Sequence, residues 1–373
     1  MPLNRPAAVI GAAIMMPVTS DRQSLEEILY EVGQAALKSA GLTIEQIDGI
    51  VVGSNDQFDG RAIAVMAASG SVGGVDRDIL STPSAGEHAF VLGVLRIASA
   101  QYETHLVVSW GTTEAHSLPE AERLGADPYF HRRLPLDDLS SYALQASALL
   151  AAQPDIEGKA ASLTERNRRR GALAYPQATG TVETAAQIAA SGPERWPLRD
   201  AMVRPPCTGA VALVLASEPF VKQAGIANPA WVRGMGWATE AAFLGDRDLT
   251  TAPALQEAAR QAYADAGIAG IGQIDLAEIT GPTAYQELLA YKALEIAESN
   301  PRPALNASGG VASINPVFCG GLVRIAEAAN QVRGTAGAHQ ASGVKSALGH
   351  AASGPAMMYQ TVVVFDRELK GTP

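Results

Sequence analysis

Short apolar runs alternate with amphipathic segments along most of the chain. The apolar runs are rich in Val, Ile and Ala, with no polar alternation, which is typical of strands buried on both faces of a largely parallel sheet. Apolar residues at helical spacing predict helices between them. Strands are predicted at 7–14, 49–53, 105–110, 230–236, 275–280 and 361–365, and helices at about 24–40, 252–266, 284–298 and 322–333, with another starting near residue 84. This order predicts an α/β protein.

One unit of the pattern occurs twice. Residues 34–53 give a helix, an Ala-Gly stop, Gln-Ile-Asp and an apolar strand, and residues 261–281 repeat that order. A repeat near the start of each half indicates that two similar domains arose by duplication. Helix, glycine, loop and strand are also common in α/β proteins at large, so the shared Ala-Gly and Gln-Ile-Asp carry the argument.

Residues 114–200 break this rhythm with recurring prolines and mixed charge. We interpret them as a loop domain inserted in the first half. The predicted domains are therefore 1–220, which includes that loop domain, and 221–373.

Composition narrows the class of protein. With 373 residues, 47% of them hydrophobic, the chain can bury a large core. A net charge of −10 argues against general affinity for nucleic acid or an anionic membrane, because both need a basic face. Cys207 and Cys319 offer neither a disulfide framework nor a metal-ligand spacing, which suits a reducing cytoplasm. The apolar run 7–17 is too short to span a bilayer, and residues 19–22 lack a convincing signal-peptide cleavage site.

The most distinctive segment is the glycine-rich stretch 306–321, which leads into the apolar-periodic run 322–332. Its four glycines and one proline impose unusual backbone conformations before a helix N-terminus. Alone, this also fits a tight turn before an ordinary helix. The stretch resembles the "NxxGG…GHPxGATG" segment of the thiolase superfamily, with Asn315 where those enzymes carry the histidine that activates a nucleophilic cysteine.

A second segment, 204–217, resembles the "CPxSDGAAAxxLxS" strand of the same family, with Thr208 in place of the usual aspartate. The resemblance covers nearly the whole chain and is to the sterol-carrier-protein type, because the loop region is short and the motifs are degenerate. It implies a thiolase-like five-layer αβαβα sandwich of two duplicated halves. It also implies a coenzyme A thioester as substrate, with no covalently bound cofactor and no metal.

The arginine cluster at 166–170 loosely resembles the loop segment that helps to form the coenzyme A tunnel in this family. The resemblance implies that Arg168 and Arg169 hold the phosphates of coenzyme A. A solvated helix face fits these arginines equally well. The other candidates for substrate binding are Gly309, Gly310 and Cys319.

The three catalytic positions of the family that can be placed are all changed. The cysteine position is Pro83, and the two histidine positions are Asn315 and Thr280. Cys207 precedes an apolar strand, and we expect it to pack there, because apolar surroundings raise the pKa of a thiol. Ser84 is the nearest hydroxyl, but a serine needs an adjacent base to become a nucleophile.

The resemblance therefore implies chemistry without a cysteine. Retro-aldol cleavage of a β-hydroxyacyl-CoA needs a base for the hydroxyl proton and donors for the thioester enolate. Thiolase-like aldolases that trim steroid side chains lack the cysteine and are thought to use tyrosines. Tyr285 is our first candidate base, and Asn315 and the helix-start amides after Ser84 are the candidate donors. Tyr285 also fits a packing tyrosine at a helix start.

Histidines give a further set of candidates. His350 lies where family members carry their last catalytic loop, and we expect it to titrate near neutral pH. It also fits a buried structural histidine. His88, one turn into a helix, is a weaker candidate, and Tyr359 could reach the pocket or simply pack.

Two other functions stay open: acyl transfer from Ser84, and a noncatalytic subunit that supports a partner. The resemblance also implies two kinds of assembly. One is a homodimer joined edge to edge through the strand at 105–110. The other is a complex with a small OB-fold, zinc-ribbon protein that holds acyl-CoA.

Overall fold

The computed structural model describes residues 4–18, 23–61, 63–112, 117–297 and 302–369. The first half contributes five strands in the order β3-β2-β4-β7-β1, with β7 antiparallel to both its neighbours, and β1 also pairs with the first strand of the second half, so that ten strands are continuous. Its elements are β1 (Ala7–Met15), α1 (Leu25–Ala40), β2 (Gly49–Gly53), α2 (Asp56–Asp59), α3 (Ala64–Ser71), β3 (Asp78–Thr82), α4 (Gly86–Ala98) and β4 (Thr104–Gly111). The half closes with β7 (Gly209–Ser217) and α10 (Glu218–Gln223).

Between β4 and β7 lies the predicted loop domain, which is mainly helical. Its longest helix, α7, has 19 residues and carries the arginine cluster. The elements are α5 (Leu118–Gly125), α6 (Asp138–Ala152), α7 (Ile156–Ala174), α8 (Pro176–Thr179), α9 (Ala185–Ala190), β5 (Pro193–Arg195) and β6 (Leu198–Arg199).

The second half repeats the arrangement of the first. Its strands follow the order β10-β9-β11-β12-β8, and β12 is antiparallel to both its neighbours, as β7 is. The elements are β8 (Ala230–Thr239), α11 (Pro253–Ala266), β9 (Leu276–Ile279), α12 (Ala284–Ala293), β10 (Ala304–Leu305), α13 (Gly320–Arg333), β11 (Ser346–Ser353) and β12 (Tyr359–Asp366). When the five strands of each half are numbered along the chain, both halves therefore place them in the same order across the sheet.

The repeated sequence unit has the same structural role in both halves. Gly41 and Gly267 end α1 and α11 in the left-handed conformation, with φ of 69° and 67°. The aspartate of each Gln-Ile-Asp then binds the two backbone N–H groups at the start of a neighbouring strand. Asp48 accepts from residues 103 and 104 ahead of β4, and Asp275 accepts from residues 345 and 346 ahead of β11. The duplication inferred from the sequence is thus visible in the hydrogen bonds.

Three hydrophobic clusters define the layers. Val51 of β2 packs in the central cluster, whereas its neighbours Ile50 and Val52 pack in the outer cluster with α1. Successive side chains of a strand point to opposite faces, so each sheet is covered twice. The central layer holds α4 and α13, and α11 and α12 cover the outer face of the second sheet. This is the five-layer αβαβα sandwich that was predicted.

The N-termini of the two central helices approach each other closely. A Cβ atom on Gly86 would lie 2.8 Å from the Ser109 Cβ and 3.0 Å from that of Leu322. Glycine is therefore needed where α4 begins. The first turns of both helices meet at one end of the central layer, and this positions the site described below.

Several sequence predictions need correction. The helix predicted to continue to 298 ends at Ala293, and residue 298 lies outside the described residues. The region around His350, predicted as a catalytic loop, is the strand β11, whose small Ala, Gly and Ser residues have low strand propensity but fit between α13 and the outer core. The strand at 105–110 is not a dimer edge, because β4 is paired with both β2 and β7, and the exposed edge is β3.

Candidate active site

A serine and a histidine are paired where α4 begins. Ser84 lies two residues before the helix and His88 lies in its first turn, so the four-residue spacing puts both side chains on one face. The Ser84 Oγ is 2.5 Å from the His88 Nδ1. Both residues are half-buried, so the pair is accessible from outside. The adjacent base that a serine nucleophile needs is therefore present, because the neighbouring turn of the helix supplies an imidazole.

The end of the β11–β12 hairpin lies beside this pair. The ring of Tyr359 meets the His88 ring edge to face, with 5.8 Å between the ring centroids. Tyr359 is 37% exposed and lies opposite Ser353 in the strand register. The Ser353 Oγ donates to the Glu87 Oε1 at 2.8 Å, which links the hairpin end to α4.

This arrangement can move a proton and hold an anion. A neutral imidazole can accept a proton from the serine hydroxyl or from a substrate hydroxyl within reach. The Gly86 and His88 N–H groups donate to the carbonyls of Phe318 and Ala85, but the dipole of α4 favours negative charge on an oxygen bound near its start. The candidate chemistry is therefore that of a hydroxyl and an imidazole, close to Pro83, which the resemblance aligns with the cysteine of the family.

Neither thiol is suited to act as a nucleophile. Burial raises the pKa of Cys207 to about 11, and Cys319 is fully buried, with its pKa raised well above its usual value mainly by desolvation. A thiol in such surroundings stays protonated near neutral pH. Cys319 forms the cap residue of α13 and packs in the central core.

Asn315 connects the glycine-rich stretch to the segment before β7. Its side-chain amide donates to the Arg204 carbonyl at 2.9 Å, and its own carbonyl accepts from the Cys207 N–H at 3.0 Å. One of its two amide hydrogens is therefore already used within the protein.

Tyr285 lies in an environment that opposes ionisation. Its side chain is fully buried in the outer core with α12, and its hydroxyl has no hydrogen-bond partner among the described residues. Burial raises the pKa of Tyr285 to about 12. A tyrosine that acts as a base near neutral pH needs a neighbouring cation or donor to lower its pKa, and here the shift has the opposite sign.

His350 does not titrate near neutral pH, so that prediction is wrong. The residue is fully buried within β11, and its Nε2 is 2.7 Å from the Gln360 Oε1 on the next strand. Desolvation lowers its pKa to about 4. Burial penalises the charged imidazolium, and one neutral amide does not compensate for the lost hydration.

The predicted substrate-binding residues make contacts within the protein. Gly309 has a φ of 85°, and a Cβ there would lie 2.0 Å from the Ser313 Oγ and 2.4 Å from the Asn167 carbonyl oxygen. Gly310 is also left-handed, with a φ of 62°. These glycines let the stretch pack tightly against α7.

The arginines of α7 are likewise engaged. Arg168 is buried and pairs with Glu183, whereas Arg169 is exposed and pairs with Glu165 one turn earlier. Arg169 is therefore the better placed of the two for a ligand phosphate.

Sequence reasoning missed a buried carboxylate that organises the loop around Gly310. Glu287 accepts from the Asn167 Nδ2 at 2.7 Å, the Asn306 Nδ2 at 2.8 Å and the Arg166 Nη2 at 3.2 Å. It also accepts from the Tyr291 hydroxyl. Three of these four donor side chains come from distant parts of the chain and the fourth from the next helical turn, so only the fold reveals the network.

A small cavity adjoins the site, and a larger one lies away from it. The small cavity is lined by Asn55, Phe58 and Phe318, among others, and Asn55 donates to the Pro83 carbonyl at 3.5 Å. A cavity of about 330 Å³ lies at the start of β9 and β11, with mixed charges such as Asp275 and Lys345. Its lining residues carry no arrangement suited to catalysis, so we assign the site to the helix starts.

Comparison with known proteins agrees with the fold. The family described as thiolase C-terminal domain-like matches residues 236–367. Sterol carrier protein 2 is 31% identical to the chain in Oryctolagus cuniculus and 30% in Homo sapiens, over an alignment of 176 residues that covers 39% of this chain. The match spans only 30% of the length of those relatives.

Solved structures match over almost the whole chain. A monomeric SCP2-thiolase-like protein type 1 from Mycobacterium smegmatis has a TM-score of 0.78 at 19% identity, covering 99% of this chain and 79% of its own. The Ltp2-ChsH2(DUF35) aldolase has a TM-score of 0.79 at 19% identity, covering 98% of both chains. Human mitochondrial 3-ketoacyl-CoA thiolase in complex with CoA has a TM-score of 0.74 at 18% identity, covering 98% of this chain and 99% of its own.

The fold, the C-terminal family match and the site together define a thiolase-fold protein. Residues 236–367 match the thiolase C-terminal domain-like family, and the chain as a whole has the fold of the SCP2-thiolase-like and thiolase structures.

The described part of the chain lacks two kinds of feature. It contains no helix long and apolar enough to cross a membrane. Nor does it contain a group of three or more His, Cys, Asp or Glu side chains placed to hold a metal ion.

Proposed function

We propose that this protein is an enzyme that cleaves the carbon–carbon bond of a β-hydroxyacyl-CoA by a retro-aldol reaction without a cysteine. The observation that carries the proposal is the 2.5 Å contact between the Ser84 hydroxyl and the His88 imidazole at the start of α4. A base at this position is what the reaction needs, and no thiolate competes with it. The similarity to the Ltp2-ChsH2(DUF35) aldolase, which covers 98% of both chains, supports a lyase.

The proposed reaction moves one proton. His88, directly or through the Ser84 hydroxyl, takes the proton from the β-hydroxyl of the substrate. The bond between the α- and β-carbons then breaks, which gives a ketone or aldehyde and the enolate of the shorter thioester. The dipole at the start of α4 stabilises the enolate oxygen, and the proton held by His88 goes to the α-carbon. The products are a carbonyl compound and a shortened acyl-CoA, with no net gain or loss of protons.

This assignment replaces Tyr285 as the candidate base. Its raised pKa, about 12, leaves almost no tyrosinate near neutral pH. Asn315 stays a candidate donor through its second amide hydrogen, and Arg169 stays a candidate for the phosphates of coenzyme A.

A partner protein is part of the proposal. The name of the aldolase includes a DUF35 component, ChsH2. We propose that a small acyl-CoA-binding protein of that kind assists this chain. Homodimerisation is also retained as a proposal, now through the exposed edge of β3 in place of β4.

The test is product analysis with the purified chain, with and without a DUF35-type protein. A set of β-hydroxyacyl-CoA thioesters with aliphatic, aryl and steroid side chains should yield a carbonyl compound and the shortened acyl-CoA in equal amounts. The intact mass of the protein should stay unchanged during turnover. Absence of cleavage in the complete complex with every substrate class would refute the lyase.

Acyl transfer through Ser84 is the second candidate function. The short contact with His88 favours it, because an adjacent imidazole is what activates a serine nucleophile. This function predicts an acyl-enzyme, detected as a mass increase on the peptide that contains Ser84 after incubation with acyl-CoA. Retro-aldol cleavage predicts no such adduct.

A further inference from the structure

We propose that Glu87 is a positioning residue that holds the β11–β12 hairpin against α4 and thereby orients the His88–Ser84 pair. The inference rests on the proposed site, but it concerns its geometry and can be tested without any turnover. It assigns a role to a buried acidic residue that the proposed reaction does not use.

Glu87 is an unusual residue for its location. It lies in the first turn of α4, its side chain is 1% exposed, and one carboxylate oxygen accepts from the Ser353 Oγ at 2.8 Å. The other oxygen, Oε2, is buried and has no hydrogen-bond partner among the described residues. A half-satisfied buried carboxylate is costly, so an ordinary packing residue would be more stable here.

The neighbouring helix is shaped to accommodate this carboxylate. A Cβ atom on Gly321, in the first turn of α13, would lie 2.5 Å from the Glu87 Oε2 and 2.6 Å from the Ala351 Cβ. The carboxylate therefore sits between the first turns of two helices, where both dipoles favour a negative charge. The fold thus provides space and a favourable field for Glu87.

The hydrogen bond to Ser353 connects Glu87 to the site. Ser353 is the cross-strand partner of Tyr359, and the Tyr359 ring contacts the ring of His88. The contacts therefore lead from Glu87 in α4 to the pair Ser353 and Tyr359 at the hairpin end, and from Tyr359 back to His88 in α4. Because Glu87 and His88 are adjacent in sequence, a shift of the hairpin changes the surroundings of the imidazole directly.

The other side of the hairpin end is also fixed. Arg247 donates to the Pro355 and Ala356 carbonyls at 3.0 and 2.8 Å, and the Ala356 N–H donates to the Ser141 Oγ at 2.7 Å. Arg247 follows β8 and Ser141 lies in the loop domain, so these contacts hold the hairpin end from two other parts of the chain. The bond between Glu87 and Ser353 is a direct hydrogen bond between the hairpin end and α4, beside the contact of the Tyr359 and His88 rings.

The experiment uses the full chain labelled with ¹⁵N-histidine. The imidazole signals of His88 are assigned by their loss in His88→Gln and then followed in Glu87→Ala, Ser353→Ala, Glu87→Gln and the control Thr361→Val. Thr361 is on the same hairpin, and its buried hydroxyl has no partner among the described residues. We expect both alanine variants to shift and broaden the His88 signals and to change its titration curve. The control should leave them unaltered.

Glu87→Gln keeps an acceptor for Ser353, and we expect it to restore the parental His88 spectrum. The double variant Glu87→Ala/Ser353→Ala should resemble either single variant, because both remove the same contact. A parental spectrum in Ser353→Ala would overturn the proposal, even if Glu87→Ala failed to fold.

Turnover supplies an independent readout. If the chain cleaves β-hydroxyacyl-CoA, Ser353→Ala should lower kcat by about 10-fold with little change in KM, since misplacement of a base costs rate more than binding. A spectral change without any parental lyase activity would refute the proposed function and leave the positioning role intact. Lyase activity in the parental protein, together with a parental His88 spectrum in Ser353→Ala, would refute the positioning role and leave the proposed function intact.

Discussion

His88 and His350, the two histidines considered as candidate site residues, lie at very different depths in the fold. His88 is half-buried at the open start of α4, 2.5 Å from a serine hydroxyl. His350 is enclosed between the second sheet and its outer core, and desolvation lowers its pKa to about 4. The tyrosines differ in the same way, since Tyr359 is 37% exposed and Tyr285 is fully buried.

The difference teaches that a shared fold does not place every motif position where it can act on a ligand. Thr280, Tyr285 and His350, which the resemblance aligns with catalytic segments of the thiolase superfamily, are buried. The helix start near residue 84 carries an accessible serine and histidine. Exposure and hydrogen bonding therefore favour His88, the weaker candidate from the sequence, over Tyr285 and His350.

The largest effect that we expect concerns the interior side of this comparison. Gly309→Ala should reduce the free energy of unfolding by about 3 kcal/mol or more, because it combines a left-handed backbone with a collision against Ser313 and the Asn167 carbonyl. Gly343→Ala is the matched control, since Gly343 is also left-handed, at φ 73°, but has open space around it. It should cost about 1 kcal/mol. Equal losses of unfolding free energy in the two variants, measured by chemical denaturation, would mean that Gly309 is not tightly packed against its neighbours.

The pH dependence of stability tests the assignment of His350. A pKa of about 4 in the folded state, below the unfolded value of about 6.5, means that the unfolded chain binds more protons between these pH values. Stability therefore falls as the pH decreases from 6.5 to 4, and this residue contributes at most about 3 kcal/mol to the loss. His350→Gln should flatten the curve of unfolding free energy against pH by that amount. His105, whose burial also lowers its pKa to about 4, titrates equally in parent and variant and cancels in the difference. An unchanged slope would indicate that His350 is solvated.

Much of the fold could be predicted from the sequence because its signals are local. The strand at 49–53 was predicted with the observed bounds, and the repeated Ala-Gly and Gln-Ile-Asp mark left-handed helix caps and strand anchors in both halves. The strand β11 was missed because its small residues show no apolar run, and only contact with α13 and β12 makes it a strand.

The site was harder to predict, because its members come from separate elements. The four-residue spacing of Ser84 and His88 was visible in the sequence, and it was the one signal that could have identified the pair. The contacts of Glu87 with Ser353 and of His88 with Tyr359 join residues more than 260 positions apart. No local pattern encodes such contacts, and the motif positions of the family pointed to the interior instead.

The smallest effect is expected at the cysteines. With a pKa of about 11, Cys207 should react with iodoacetamide at pH 8 at least about 10-fold more slowly in the native protein than in urea. Cys207→Ala should leave any acyl-CoA cleavage unchanged. If iodoacetamide instead labels Cys207 rapidly in the native protein and labelling abolishes turnover, the reaction depends on a thiol. The comparison of His88 with His350 would then not identify the site.

The most direct test of the central claim compares two substitutions that each remove one candidate base. His88→Gln should lower the rate of β-hydroxyacyl-CoA cleavage by about 10²-fold or more, the usual contribution of a general base, while Tyr285→Phe keeps the parental rate within about threefold. Single-turnover kinetics with the partner protein present, on variants whose folding is verified by thermal unfolding, measures both. A parental rate in His88→Gln together with a 10²-fold loss in Tyr285→Phe would contradict the account and move the site to the interior.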